Sequence, residues 1–396
     1  MTRESKSQVD LLQARAGAAQ AAIASRHLRR IGKWVPGTRI GQVAWPPVGR
    51  PLSKERLTGS WNYWWQAHLV ELLVDGAIHR DDPRCAADAL ALLRGIRIRN
   101  IGKWTNNYYD DMAWLGLAIE RVERHLGPSL LSTRRRAVRK LSDRMYQAWS
   151  PELGGGIPWR TTDTFFNAPA NGPAAILLAR TRHEGRSVAM TDWLNRELSL
   201  PSGLIADGLW IRPGGNRELD TAVFTYCQGV GLGAAVEAHR ITGADVYLEQ
   251  IGTLLDAIDK HLIIDGVIKS AGGGDGGLFA GILARYLALV ATDLRDGVAD
   301  SLRARASQIV LTSAEAAWDH RATDPEGLPV FGHNWRLDAV VPDGTGTAAR
   351  KFGGAVAASS IPERDLSVQI SAGILLEAAV SVTNRSSEHT YSATLD

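Results

Sequence analysis

The stretch that decides the fold of this chain reads WTNNYYDDMAW and spans residues 104–114. Two adjacent carboxylates stand there between paired tyrosines and a tryptophan. Apolar residues follow at helical spacing, namely Leu115, Ala118, Ile119 and Val122. Because residues three and four positions apart share one helix face, the pattern predicts a helix over residues 108–126 that opens with an acid pair.

The same periodicity recurs along the rest of the chain. Together with Gly, Pro and capping residues, it predicts about twelve helices. They cover residues 7–30, 62–77, 84–98, 108–126, 131–149, 169–183, 187–199, 222–242, 244–262, 276–294, 297–320 and 365–383. Only short pieces such as residues 204–211 alternate as a strand would. The predicted fold class is therefore all-α.

The predicted helices alternate in character. Odd-numbered helices carry charge, as in the basic run at residues 134–140, whereas even-numbered helices open with aromatic, amide or glycine clusters. The clusters are WNYWWQ at 61–66, YYDD at 108–111, NAPANGP at 167–173, YCQG at 226–229, DGGLF at 275–279 and DLSVQ at 365–369. This alternation predicts two concentric rings, with parallel inner helices whose N-termini surround a concave mouth.

The chemistry that suits an acid pair among aromatic rings is glycoside hydrolysis. That reaction uses two carboxyl groups, about 5–5.5 Å apart when the anomeric configuration is retained and about 6.5–9.5 Å apart when it is inverted. Neighbouring Cα atoms are about 3.8 Å apart, so adjacent side chains reach the shorter separation more easily. The spacing favours retention, with Asp110 and Asp111 as the candidate catalytic residues.

Two other interpretations of the pair are possible. Carboxylates in a first helical turn also satisfy free backbone N–H groups and suit the positive helix end, so the pair could be a cap. A cap does not require the surrounding tyrosines and tryptophans. The acid-rich metal-binding pattern DDxxD is excluded because its fifth position is Trp114.

Aromatic residues near the acid pair are candidates for stacking on sugar rings. Trp64 and Trp65 are adjacent and point to different sides, so we expect one in the core and the other at the sugar. Tyr109, Trp64 and Trp159 are the residues that we expect to stack on or border sugar units.

Amide side chains at the predicted mouth have two interpretations. Asn167 and Asn171 flank Pro169 at a predicted helix start, which suits either capping or recognition of sugar hydroxyls. Gln228 lies in a run of glycine and apolar residues. A buried amide must find hydrogen-bond partners, and a ligand is one candidate.

Composition argues against several classes of partner and cofactor. A net charge of +3 over 396 residues is too small to indicate nucleic acid or a membrane surface. Cys85 and Cys227 provide neither a disulfide framework nor a zinc site, and no His or Asp cluster has ligand spacing, so we expect no metal and no cofactor. The apolar run at 372–382 contains Glu377 and is too short to span a membrane.

The two ends of the chain carry further expectations. Residues 1–12 are polar, and no apolar segment follows the basic stretch 26–33, so we expect the chain as given to be cytoplasmic. A chain from which a leader had been removed would look the same, and such a chain would be exported. We expect one catalytic domain over residues 1–383, followed by a polar, disordered tail at 384–396.

Four motifs, NNYYDDMAW at 106–114, NAPANGP at 167–173, YCQG at 226–229 and DGGLF at 275–279, resemble in this order those of the family 76 glycoside hydrolases. The likeness runs from about residue 60 to residue 380. It implies an (α/α)6 barrel and an endo-acting, retaining α-1,6-mannanase, with Asp110 as the nucleophile and Asp111 as the acid/base. The expected substrate is α-mannan or a manno-oligosaccharide. Its expected contacts are Trp64, Tyr109, Trp159, Asn167, Asn171, Tyr226, Gln228, Asp275 and Phe279.

Three functions are compatible with this resemblance. The first is hydrolysis of mannan. The second is transglycosylation, in which the same two carboxylates pass the glycosyl unit to another sugar. The third is mannan binding without catalysis, which is disfavoured because both Asp residues are in place.

Overall fold

The protein is described by a computed structural model that covers residues 3–31, 35–48, 60–127, 133–295, 297, 299–347, 349–352 and 354–392. Twelve α-helices form in this part of the chain, and the predicted all-α class is confirmed. They are α1 Arg3–Arg26, α2 Tyr63–His79, α3 Pro83–Arg99, α4 Tyr109–His125, α5 Thr133–Gln147, α6 Ala168–Arg180, α7 Glu184–Leu198, α8 Thr225–Thr242, α9 Val246–Leu262, α10 Gly276–Asp293, α11 Asp300–Asp319 and α12 Leu366–Ser392.

The even-numbered helices are buried over most of their length, whereas the odd-numbered helices bury one face. In α6, for example, every residue from Ala168 to Ala179 is buried. In α5 only Ala137, Leu141, Ser142 and Met145 are buried. The alternation seen in the sequence is therefore an alternation in burial.

Several helix ends differ from the prediction by a few residues, and two of the differences have a clear cause. Helix α1 ends at Arg26, because Leu28–Arg29 pairs as a strand with Ile40–Gly41. Helix α12 continues to Ser392 rather than ending at 383. No Gly or Pro stops it after residue 383, so the expected tail is helical up to Ser392, and residues 393–396 lie outside the described residues.

Short antiparallel strands connect the helices. They are β1 Leu28–Arg29, β2 Ile40–Gly41, β3 Phe165–Asn167, β4 Gly208–Ile211, β5 Arg217–Asp220, β6 Ile263–Ile264, β7 Val267–Ile268, β8 Ala322–Thr323, β9 Pro329–Val330, β10 Arg350–Phe352 and β11 Ala355–Ala357. β3, β4 and β5 form one three-stranded sheet in that order. The other described strands pair two by two, each with the next along the chain.

Two compact units can be distinguished. One comprises Met1–Gly95, Ile263–Thr292 and Arg303–Asp396, and the other comprises Ile96–Leu262 and Asp293–Leu302. We call the second the acid-pair unit because it contains residues 110 and 111, and the first the terminal unit because it contains both chain ends. The single catalytic domain expected over residues 1–383 stays a prediction.

Even-numbered helices are direct neighbours inside each unit. In the acid-pair unit α4 packs on α6 and α6 packs on α8. A Cβ atom on Gly172 of α6 would lie 2.4 Å from Cγ2 of Val230 on α8, so only glycine permits this close approach. In the terminal unit α12 packs on α2, and the backbone N–H of Gly281 on α10 donates to Ser371 Oγ of α12 at 2.8 Å.

Two helices, at Gly276–Asp293 and Leu366–Arg385, are long and apolar enough to cross a membrane by length and composition alone. Their apolar windows are 67% and 94% buried inside the protein. Burial to this extent is the pattern of core helices, so length and composition are weak evidence for a span here.

Candidate active site

The start of α4 is fixed by pairing with the segment around residue 160. The backbone N–H of Tyr109 donates to the carbonyl of Trp159 at 2.9 Å, and Tyr108 forms an antiparallel bridge with Arg160. Asn106 Oδ1 accepts the backbone N–H of Tyr108 at 2.9 Å. These bonds hold Tyr108 in extended conformation at the N-cap, so the helix begins at Tyr109.

The two carboxylates follow at once and are held by different donors. Asp110 Oδ2 accepts the indole N–H of Trp159 at 2.9 Å, and its Oδ1 accepts the backbone N–H of Asp111 at 2.8 Å. Asp111 Oδ2 accepts Nδ2 of Asn106 at 2.6 Å. Both aspartates are half-buried, so their carboxyl groups are oriented by the protein and still accessible.

The capping interpretation of the pair holds in part. The N-cap residue, Tyr108, makes no side-chain capping bond, and Asp110 accepts a first-turn N–H in its place. Negative charge in a first turn is also favoured by the helix dipole. Capping explains neither the indole bond to Asp110 nor the amide bond to Asp111, which leave the helix and orient the side chains.

The rings predicted near the acid pair fall into two groups. Trp159 lies at the pair as expected, edge-on to Tyr108 with centroids 5.4 Å apart, and the guanidinium of Arg160 lies 5.0 Å from its ring. Tyr109 is only 8% exposed, and Arg144 lies over its ring. A ring this deeply buried has no open face for a sugar, so the expected stacking role of Tyr109 is not supported.

A sheet continues from the acid pair across the starts of α6 and α8. Trp159 donates its backbone N–H to Phe165 of β3 at 2.7 Å, and Phe165 is paired in register with Trp210 of β4. A Cβ atom on Gly208 would lie 2.6 Å from the Phe165 ring, so glycine makes room for that ring to lie over the sheet. The short strands thus connect elements that the sequence keeps far apart.

The predicted sugar contacts Asn167 and Asn171 bind the protein's own backbone. Asn167 caps α6, where its Oδ1 accepts the N–H of Ala170 at 3.2 Å. Asn171 is fully buried; its Oδ1 accepts the N–H of Ile157 at 2.8 Å, and its Nδ2 donates to the carbonyls of Ile157 and Asn167. With its amide oxygen and nitrogen both bound to backbone, Asn171 is no longer assigned to substrate, whereas the substrate contact of Asn167 stays a prediction.

Gln228 has the same arrangement in α8. It is fully buried, and its Oε1 accepts the N–H of Ile205 at 2.7 Å. Its Nε2 donates to the carbonyls of Ile205 and Phe224, both at 2.9 Å. The hydrogen-bond partners of this buried amide are backbone groups rather than a ligand. The predicted contact of Gln228 with substrate is therefore corrected too.

The structure reveals two further amides of this kind that sequence reasoning missed. In the terminal unit, Gln66 of α2 exchanges both bonds with the backbone of Gly41, and Gln369 of α12 does so with Phe331. A signal was available, since each amide of the set is the fourth residue of its helix. We call this set the amide clamps: Gln66, Asn171, Gln228 and Gln369.

The remaining predicted contacts of the terminal unit lie near the start of α10. Trp65 is fully buried in the core as expected, whereas Trp64 is half-buried, with its ring 6.3 Å from that of Phe279; its contact with sugar stays a prediction. Asp275 accepts the indole N–H of Trp65 at 2.9 Å and the backbone N–H of Val356 at 2.6 Å. Burial raises the pKa of Asp275 to about 6.

Sequence reasoning also missed an acidic residue of the acid-pair unit. Asp207 precedes β4, and its carboxyl accepts the thiol of Cys227 at 3.8 Å. Burial, and then the charge of Asp220, raise the pKa of Asp207 to about 6. The predicted contact Tyr226 is half-buried near the ring of Phe224.

No group of three or more His, Cys, Asp and Glu residues is placed to hold a metal ion in the part of the chain that the structure describes. Activity without a metal or cofactor therefore stays a prediction.

The sequence model of glycosyl hydrolase family 76 matches residues 18–392. The chain belongs to this family. No curated protein sequence matches it. Because the match covers nearly the whole chain, family 76 membership is a property of both units, and the acid pair lies inside the matched range.

Solved structures of family 76 share the fold. The α-1,6-mannanase from a Salegentibacter species is 29% identical, with a TM-score of 0.74 over 93% of this chain and 98% of that chain. An inactive variant of it, with two adjacent aspartates replaced by asparagine, was solved with α-1,6-mannotriose; it is 28% identical, with a TM-score of 0.75 over 94% and 99%. Dfg5 from Chaetomium thermophilum is 16% identical, with a TM-score of 0.68 over 94% and 90%. The predicted α/α barrel is thereby confirmed as the fold of this chain.

Proposed function

We propose that this family 76 glycoside hydrolase is an endo-acting α-1,6-mannanase that retains anomeric configuration. The observation that carries the proposal is the adjacent acid pair at the start of α4, in which each carboxyl has its own side-chain donor. The Salegentibacter mannanase supports the substrate, because its inactive variant lacks two adjacent aspartates and was solved with α-1,6-mannotriose.

In this proposal Asp110 is the nucleophile. Its ionised carboxylate attacks the anomeric carbon, the glycosidic C–O bond breaks, and Asp111 donates its proton to the leaving oxygen. Water then attacks the glycosyl-enzyme, Asp111 takes the proton of that water, and Asp110 is released. The net reaction adds one water molecule to one glycosidic bond.

The hydrogen bonds around the pair suit Asp110 as the nucleophile, and the family resemblance assigns the acid/base role to Asp111. Asp110 receives an indole N–H and a backbone N–H, and N–H donors stabilise the ionised carboxylate that a nucleophile needs. Asp111 is oriented by Asn106, whose Oδ1 is occupied by a backbone N–H. Because the backbone N–H binds the amide oxygen of Asn106, the amide nitrogen is the atom that faces Asp111.

Product analysis with linear α-1,6-mannan tests the proposal. We expect oligosaccharides of several lengths from the start of the reaction, an initial product of α configuration, and full activity after exhaustive chelation. Release of mannose alone would contradict endo action, and a β product would contradict retention. Activity lost on chelation and restored by calcium would show a metal requirement.

The same experiment separates the alternatives. With acceptor sugar in excess, products longer than the substrate would identify a transglycosylase, which the shared carboxylates also permit. Binding of α-1,6-manno-oligosaccharide by calorimetry without any product would identify a non-catalytic binding protein.

A further inference from the structure

An aromatic row crosses the sheet that starts at the acid pair. On β3, β4 and β5, Phe165 pairs in register with Trp210, and Trp210 pairs with Glu218. Residues that are directly opposite in a sheet share one face. Phe165 and Trp210 are stacked with centroids 4.5 Å apart, so the row is continuous across these strands.

The row begins at the proposed nucleophile. The ring of Trp159, which donates to Asp110, lies edge-on to Phe165 with centroids 6.5 Å apart. Trp210 lies two strands away from Trp159 across the sheet, which is about 10 Å at the usual spacing between strands. A ring at that distance from the indole that holds the reacting carboxyl is placed for a neighbouring sugar unit rather than for the one that is cleaved.

The far end of the row is polar and open. Trp210 is half-buried, whereas Phe165 is only 5% exposed. The guanidinium of Arg212 lies 4.7 Å from the Trp210 ring and pairs with Glu218 at 2.6 Å, with the two side chains 43% and 60% exposed. An indole beside an exposed donor and acceptor is a combination that suits a sugar, which offers C–H faces and hydroxyl groups.

Packing within the sheet explains the burial of Phe165 but not the partial exposure of Trp210. The opposite face of the sheet faces the core, where Leu209 is 5% exposed and Phe166 lies against Trp193. Phe165 lies on the same face as Trp210 and stacks against its ring.

We propose that Trp210, with Arg212 and Glu218, forms a distal sugar-binding subsite that engages a unit of the glycan chain beyond the one at Asp110. This inference rests on the proposed function, because the ligand is a further part of the same glycan. Sugar at this subsite would displace Arg212 from the ring or bind along the ring edge beside it. The subsite makes long chains better substrates than short ones.

The test compares long and short substrates in matched variants. Trp210→Ala should lower the ratio of kcat/KM for α-1,6-mannan to kcat/KM for an aryl α-1,6-mannobioside by about tenfold, which is ~1.4 kcal/mol. Glu218→Gln should lower the same ratio by a smaller factor, mainly through KM. The matched control is Arg217→Ala, on the same hairpin but on its other face, where it pairs with Glu197; its ratio should match that of the unmodified protein.

Two readouts keep the outcome decisive. Trp210→Phe keeps an apolar ring over Phe165, so its thermal unfolding temperature should stay near that of the unmodified protein while the ratio still falls. If Trp210→Ala and Trp210→Phe change both substrates equally, or change only the unfolding temperature, Trp210 is a structural residue and the subsite is refuted.

Binding to a catalytically inactive protein separates this inference from the proposed function. In an Asp110→Asn, Asp111→Asn double variant, calorimetry should show tighter binding of α-1,6-mannohexaose than of mannobiose, and added Trp210→Ala should abolish the difference. Binding of both sugars with no effect of Trp210→Ala would overturn the subsite alone. No binding of either sugar would overturn the proposed function and the subsite with it.

Discussion

The start of α4 and the starts of α6 and α8 use polar residues in opposite ways. In α6 and α8 the fourth residue is a fully buried amide, Asn171 or Gln228, closed by the backbone of a preceding segment. In α4 the fourth residue is the buried Met112. The polar groups there are the second and third residues, Asp110 and Asp111, which remain half-buried.

At these helix starts, burial rather than residue type distinguishes structural polar residues from candidate catalytic ones. An amide clamp exchanges two bonds with one backbone residue, as a strand would, and so joins each helix to the segment before it. An acid that is oriented by hydrogen bonds and is still accessible can meet a substrate. Both kinds look alike in the sequence, as polar residues among aromatic and small ones.

The largest expected effect lies at the acid pair. Asp110→Ala should abolish hydrolysis of every α-mannoside, including those with good leaving groups, because the carboxylate that attacks the anomeric carbon is lost. Asp111→Ala should lower kcat for mannan by about 10²–10⁴-fold but retain the first step on activated substrates. Added azide should then give an α-mannosyl azide, identified by NMR.

Asp192→Asn is the matched control for this prediction. Asp192 is exposed on α7 and accepts the hydroxyl of Tyr247, so its loss should leave turnover unchanged. An α-mannosyl azide from Asp110→Ala would reverse the roles of the two aspartates.

The amide clamps should show a large effect on stability and little on substrate affinity. Gln228→Ala removes three hydrogen bonds and leaves buried backbone groups of Ile205 unpaired, so we expect about 2–4 kcal/mol less free energy of unfolding. KM of the folded fraction should not change. Chemical denaturation measures the first quantity and initial rates measure the second.

Gln308→Ala provides the comparison for the clamps, because this exposed amide bonds only a threonine hydroxyl on its own helix among the described residues. It should alter the unfolding free energy by less than about 0.5 kcal/mol. A raised KM in Gln228→Ala at unchanged stability would return Gln228 to the substrate-binding residues.

Trp159→Phe should affect catalysis through Asp110. A hydrogen bond to a charged group contributes about 1.5–3 kcal/mol, so kcat/KM should fall by roughly tenfold to 150-fold. The acidic limb of the pH profile should also move to higher pH, because the ionised carboxylate has lost a donor.

Trp193→Phe is a matched control for Trp159→Phe. Its indole N–H has no hydrogen-bond acceptor among the described residues, so the variant should change packing without moving the pH profile. If both variants give the same profile as the unmodified protein, Trp159 does not tune Asp110.

The smallest expected effect concerns Asp207. Its folded-state pKa is raised from 3.8 to about 6, so the folded protein binds an extra proton between pH about 4 and 6. The unfolding free energy therefore falls as pH rises through this window and stays low above it. Asp207→Asn should flatten this decline and raise stability at pH 7 by on the order of 2 kcal/mol.

Urea unfolding between pH 4 and 8 checks this expectation, with Asp192→Asn again as the carboxyl-to-amide control. A steeper decline in Asp207→Asn than in the unmodified protein would contradict the burial of a protonated Asp207.

The sequence by itself determined the helical architecture. Apolar periodicity is a local property, and Gly, Pro and capping residues mark its ends. The predicted helix at 108–126 is therefore found at Tyr109–His125, and the one at 276–294 at Gly276–Asp293. The acid pair, its place at a helix start and the family followed from the same local pattern.

Tertiary structure alone decided which polar residue serves which purpose. Asn171 meets a backbone 14 residues away and Gln228 one 23 residues away, while the indole that orients Asp110 comes from 49 residues away. Helical periodicity reports which face of a helix is apolar, but not what lies opposite that face. Whether an amide closes on backbone or an aspartate stays accessible depends on the segments folded against it, and those contacts leave no periodic trace in the sequence.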